Sequence, residues 1–190
     1  MLERFSLKLT QIAIERNIIT LGEKELYTYA YQKLISFIAT FATTIIIGII
    51  TDNLLGLLIF TLYFMPLRIY SGGLHLSTYF RCYLGSVGVM LLAVLSCNSL
   101  ATLLPTYVFF IILGFSAFII FKLAPISHPN KPLNDVDTAK YRFKARSILS
   151  VEIITISLIL IFSNIRSFVL FAISGVLFVA ILLIINPRSR

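Results

Sequence analysis

The sequence predicts an all-α, polytopic integral membrane helical bundle, and three observations carry that prediction. Of its 190 residues, 58% are hydrophobic and only 13% charged, against about 45–50% and about 25% in soluble domains. The mean hydropathy is +0.96. Residues 82–121 carry no charge at all, a run about twice the ~20 residues an α-helix needs to cross hydrocarbon. Within hydrocarbon a helix satisfies its own backbone, whereas sheets must close into barrels. Together these observations exclude a water-soluble fold.

The elements follow from charge to charge. The first 33 residues hold nine charges and no apolar core of the signal-peptide kind. Leu2, Phe5, Leu9, Ile12 and Ile19 recur there at helical spacings between the charges, which predicts amphipathic surface helices. Such helices lie in the headgroup plane or cap the bundle from the cytoplasm. Thr20 with Glu23 three residues later reads as a capping box that starts a second helix. Six transmembrane helices are then expected: Leu34 to Thr51, Asn53 to Leu67, Tyr83 to Leu103, Thr106 to Phe121, Ser147 to Ile165 and Ser167 to Pro187. The second and fourth are short, so four full spans with two partial ones is the alternative. The resulting organisation is a cytoplasmic N-terminal segment, 1–33, and a transmembrane domain, 34–190. The domain carries a reactive loop, 68–82, and a basic cytoplasmic loop, 122–146.

The positive charges assign these spans to sides. With the N-terminus inside, 15 of the 16 lysines and arginines fall on the cytoplasmic side, and Arg166 alone lies outside. That asymmetry is the pattern that orients membrane proteins. The formal net charge of +8 therefore reports topology, and nucleic acid is not an expected partner. Both termini are expected in the cytoplasm.

Reactive side chains are few. The cytoplasmic segment from Arg68 to Cys82, RIYSGGLHLSTYFRC, gathers one of two histidines, one of two cysteines, two arginines and a Gly-Gly pair. Thiolate is the nucleophilic form of cysteine, and neighbouring cations or a helix start favour it. His75 is the natural base for the Cys82 thiol. A straight helix would hold residues seven apart about 10.5 Å from one another along its axis. Proton transfer needs about 2.6–3.2 Å. The pair therefore demands a bend, which Gly72 and Gly73 permit, with Ser77 or Thr78 capping a helix that starts near Cys82. The competing reading makes Cys82 a small buried packing residue and His75 a satisfied surface group.

The loop from Lys122 to Arg146 begins with Pro125, Pro129 and Pro132, which deny it a continuous helix. His128, Lys131, Asp135 and Asp137 lie in it, without the paired ligand spacing of a zinc site. Neither a metal nor a cofactor is expected. The KYRFKAR half suits an acidic peptide or anionic lipid, or is simply positive-inside charge. Glu152 lies within the fifth span, where an ionisable group is a functional hypothesis by default. Pairing with Arg146 or Lys144 is its structural alternative. Cys97 has no basic neighbour and reads as packing.

Arg68, Gly73, His75 and Cys82, in a cytoplasmic loop between the second and third spans, resemble the AgrB (accessory gene regulator B) family. The KPL element at Lys131 to Leu133, the basic N-terminal helices and the multi-span layout match as well. The resemblance implies a bacterial, multi-pass cell-membrane cysteine endopeptidase of quorum sensing. It would cut the C-terminal tail from a small AgrD-like precursor peptide and promote cyclisation to a thiolactone or lactone. It also implies Cys82 as nucleophile, His75 as base, Arg68 and Gly73 as supporting positions, and Lys131 in substrate handling. The implied partners are the peptide, membrane lipids and a second copy of the chain. A small permease or exporter, with Glu152 and Asn98 lining a path, is the alternative, although no internal repeat of the transporter kind is visible.

Overall fold

The computed structural model describes residues 2–72, 79–126, 134–162 and 165–185. Seven α-helices cover most of them: α1 Leu2–Glu15, α2 Lys24–Ile50, α3 Leu54–Ser71, α4 Tyr79–Leu103, α5 Thr106–Leu123, α6 Asp135–Phe162 and α7 Arg166–Ile185. Six of them, α2 to α7, are long and apolar enough to cross a membrane. The chain is a multi-pass, all-α membrane bundle. The second and fourth spans reach 18 residues each, close to a full crossing.

Two compact units emerge, residues 1–43 and 44–190. In the first, α1 ends where Asn17 takes a left-handed φ of 53° and Ile18 N–H returns to the Ala13 carbonyl at 2.9 Å. This is the left-handed closure of helix ends, and asparagine tolerates it better than most side chains. Thr20 N–H and hydroxyl both donate to the Glu23 carboxylate, at 3.0 and 2.8 Å, forming the box the sequence predicts. The predicted stripe is divided: Phe5 and Ile12 are exposed and Leu9 is half-buried, whereas Ile19 is buried together with Ser6, Thr10 and Ala13. Its exposed part suits the headgroup boundary.

The second unit is organised around α7, which is buried on every side over Val169–Val176, as expected of a helix with no polar face. Its main neighbour is α3, followed by α5 and α4. Hydrocarbon offers no hydrophobic drive between helices, so small residues that permit close approach take that role. A Cβ on Gly175 would stand 3.0 Å from the Phe60 carbonyl oxygen, and one on Gly56 would enter the Phe171 ring. Phe60 in turn stacks on Phe64 and meets Phe178 edge-on. Between α2 and α3 the turn closes on Asp52, at φ 56°, with Asn53 N–H on the Gly48 carbonyl at 2.8 Å.

Cations mark both ends of this unit. At one, Arg166 donates to the Leu104 carbonyl at 2.9 Å and to Thr106 Oγ1 at 3.1 Å, so the α4–α5 turn is tied to the start of α7. At the other, Arg146 lies 3.9 Å over the Phe121 ring and donates to the Phe121 carbonyl at 3.3 Å. Lys144 sits 5.0 Å over Tyr70, and Lys122 5.5 Å over Phe118. Cations over aromatic faces gain attraction without leaving the interface.

Candidate functional site

The site builds from the end of α3. Arg68 is in its last turn, and Gly72 caps it with φ +69° and ψ −137°, a conformation that glycine adopts without strain and other residues do not. Gly72 N–H returns to the Arg68 carbonyl at 3.3 Å, while Arg68 Nη1 donates to the Gly72 carbonyl. The guanidinium is thus fixed by the turn it closes. Ile126 N–H donates to the Ser71 carbonyl at 3.0 Å, pairing this turn with the segment after α5 through an isolated parallel bridge between Gly72 and Ile126. A Cβ on Gly72 would collide with the Ile126 carbonyl. Tyr141 meets the Tyr70 ring edge-on at 5.7 Å, so α6 grips the same end of α3.

Cys82 enters from α4. That helix begins at Tyr79, placing the half-buried Cys82 in its first turn, where backbone N–H groups lack intrahelical acceptors. A helix starting near Cys82 is the element the sequence demanded. Helix α4 packs against α3, which carries Arg68 in its last turn, and Arg81 adjoins Cys82 in sequence. A thiol at a helix start, with a guanidinium on the neighbouring helix, is suited to chemistry in which negative charge develops on an attacked carbonyl.

Of the predicted site residues, Arg68 and Cys82 lie on neighbouring helices, in the last turn of α3 and the first turn of α4. Gly73, His75 and Lys131 lie outside the described residues, as do His128, Ser77 and Thr78. The loop's second half differs from expectation: α6 begins at Asp135, so KYRFKAR is helical and continuous with the fifth span. Asp135 and Asp137 lie in its first turn, where Asn134 Oδ1 accepts the Asp137 N–H at 2.7 Å. They serve the helix start, where negative charge is favoured. Glu152 does not pair with Arg146 or Lys144: its Oε2 and the Arg146 Nε both lack a hydrogen-bond partner among the described residues, while Arg146 lies over Phe121 and Lys144 over Tyr70. Cys97 is buried with its sulfur 3.8 Å from Ser174 Oγ, in keeping with packing. Sequence reasoning missed the pairing of Ser71 and Gly72 with Ile126, since backbone pairing between distant segments leaves no side-chain pattern to read.

The family model for accessory gene regulator B matches residues 6–183. The chain belongs to the accessory gene regulator B family. An AgrB-like protein of Clostridium perfringens strain SM101 is 31% identical over 146 residues, covering 71% of this chain and 68% of that protein. AgrB-like protein 2 of Clostridium perfringens strain 13 is 29% identical over 157 residues, covering 80% and 70% respectively. No solved structure matches the chain. The AgrB family consists of protease-type membrane proteins, and membership gives this chain a role in accessory gene regulator peptide processing.

Proposed function

We propose that this AgrB-family chain is a membrane-embedded cysteine endopeptidase that removes the C-terminal tail of a small AgrD-like precursor peptide through a thioester acyl-enzyme and promotes ring closure for quorum sensing. The observation that carries this reading is the position of Cys82 in the first turn of α4, a helix packed against α3, whose last-turn Arg68 donates to the Gly72 carbonyl. Cys82 is the nucleophile. It attacks the scissile carbonyl, whose oxyanion is met by helix-start N–H groups and Arg68. His75 takes the thiol proton and returns it to the leaving amine. Gly73 supports the turn and Lys131 the substrate, as the family resemblance implies.

The location suits the chemistry. A thioester hydrolyses in water, so a site at the membrane border, flanked by apolar helices, gives an internal thiol or hydroxyl of the peptide time to attack. Cytoplasmic placement of this site and of both termini follows from the distribution of the basic residues. A second copy of the chain and anionic lipid along the basic rim complete the proposed partners.

Co-expression with an AgrD-like precursor peptide tests the reading. Wild type should shorten the precursor. Cys82→Ser and His75→Ala should lose that activity by at least about a hundredfold while still inserting in the membrane. Equal shortening by all three would make the pair packing residues and return the permease reading.

A further inference from the structure

At the basic end of the second unit, Lys122 and Arg146 meet no carboxylate among the described residues. Lys122 rests on the Phe118 ring and Arg146 on the Phe121 ring, and Arg146 adds a hydrogen bond to the Phe121 carbonyl at 3.3 Å. That carbonyl belongs to the peptide bond leading into Lys122, so the bonded guanidinium nitrogen lies within about 6 Å of the Lys122 Cα. The carbonyl takes only one of the guanidinium's several N–H donors. Two positive charges, one from α5 and one from the packed α6, therefore share one corner with no negative charge to balance them.

The face of α5 that carries Lys122 indicates what balances them. At helical steps back along that face come Phe118, Phe115 and Ile111, each at least 60% exposed. Between them Gly114 would send a Cβ into open space, leaving a shallow gap among the larger side chains. In a membrane-spanning helix, an apolar face turned away from the bundle meets acyl chains. From Ile111 to Lys122 the stripe rises about 16.5 Å at 1.5 Å per residue, against about 15 Å of hydrocarbon in one leaflet. The cations thus stand at headgroup level, above a strip about one acyl chain long. An acidic peptide would have to come to this corner from water, whereas a lipid already lies along the face that leads to it.

We propose that Lys122 and Arg146 bind the phosphodiester headgroup of one anionic phospholipid, of the phosphatidylglycerol kind, whose acyl chain lies along Ile111, Gly114, Phe115 and Phe118. The inference rests on the lipid contact proposed above, which it places on the chain, and not on the peptidase chemistry. Arg146 offers guanidinium N–H groups to the phosphate oxygens and Lys122 its ammonium, both as charge-assisted hydrogen bonds. A zwitterionic lipid is disfavoured, because its choline brings a third positive charge to the same corner.

The test titrates the full-length protein in detergent with phosphatidylglycerol and with phosphatidylcholine, and native mass spectrometry counts the bound lipid. Wild type should hold one phosphatidylglycerol at least about tenfold more tightly than phosphatidylcholine. Lys122→Gln and Arg146→Gln should each weaken it by about fivefold, and the double variant should lose the preference, while Lys122→Arg and Arg146→Lys keep it. Because Lys122 is exposed, its variants carry the test even where Arg146→Gln fails to fold. Lys140→Gln combined with Arg142→Gln, which removes cations of α6 outside the corner, should change nothing. An equal loss in that control leaves a diffuse basic rim and overturns the site, though not the lipid contact. Displacement by inorganic phosphate or by an Asp- and Glu-rich peptide overturns the assignment to lipid. No preference in wild type refutes the lipid contact itself, and the inference with it.

Discussion

At the scale of single residues, the turn at Gly72 joins three features: the C-terminus of α3, the Arg68 guanidinium and the segment that begins at Ala124. Its φ of +69° and the Ile126 carbonyl that stands where a Cβ would go make it intolerant of any side chain. Forcing a non-glycine residue into such backbone costs about 1–3 kcal/mol. Gly72→Ala should therefore displace Arg68 and lower peptide processing by about tenfold or more, measured against membrane-inserted protein; wild-type processing would show that the turn is not needed. Of this site, Cys82 was visible in the sequence as a reactive side-chain type, and Arg68 was marked by the family resemblance. The Gly-Gly pair announced a turn. What it pairs with was not legible, since the Ser71–Ile126 bond involves only backbone atoms more than fifty positions apart. Glu152 was visible as an anomaly, but its neighbours were misjudged: residues six apart on a helix do not share a face, and Arg146 reaches Phe121 instead.

At the scale of elements, the helices were legible where hydrophobic runs end in charge, and least so where charge continues a helix. α6 extends back to Asp135 through Lys140, Arg142 and Lys144, because a helix leaving the membrane loses its apolar pattern while keeping its backbone bonds. The packing of α3 on α7 depends on Gly175, where an added Cβ would meet backbone atoms that cannot move aside. By contrast, Gly114 on α5 faces open space. Gly175→Ala should destabilise the bundle by about 1–3 kcal/mol, while Gly114→Ala should be neutral or gain up to about 1 kcal/mol from helix propensity. Thermal unfolding in detergent checks both, and equal melting temperatures would argue against a close α3–α7 contact.

At the scale of the whole molecule, the spans of the second unit place Arg68 at the end that holds Lys122, Lys144 and Arg146, and Arg166 at the other. Fold class and span count followed from composition and charge clumping alone, because hydrocarbon leaves the chain so few alternatives. The basic end should face the cytoplasm. A membrane-impermeant maleimide should label Cys82 in inverted vesicles and not in intact cells, with Cys97 protected by burial; labelling in intact cells would reverse the orientation. The central claim, that Cys82 carries the peptide as a thioester, is tested most directly by the intact mass of the protein purified after co-expression with its precursor. The account predicts an adduct equal to the precursor minus its tail, mapped to Cys82, cleaved by neutral hydroxylamine and absent from Cys82→Ala. Release of the tail by Cys82→Ala, or an adduct at any other residue, would contradict it.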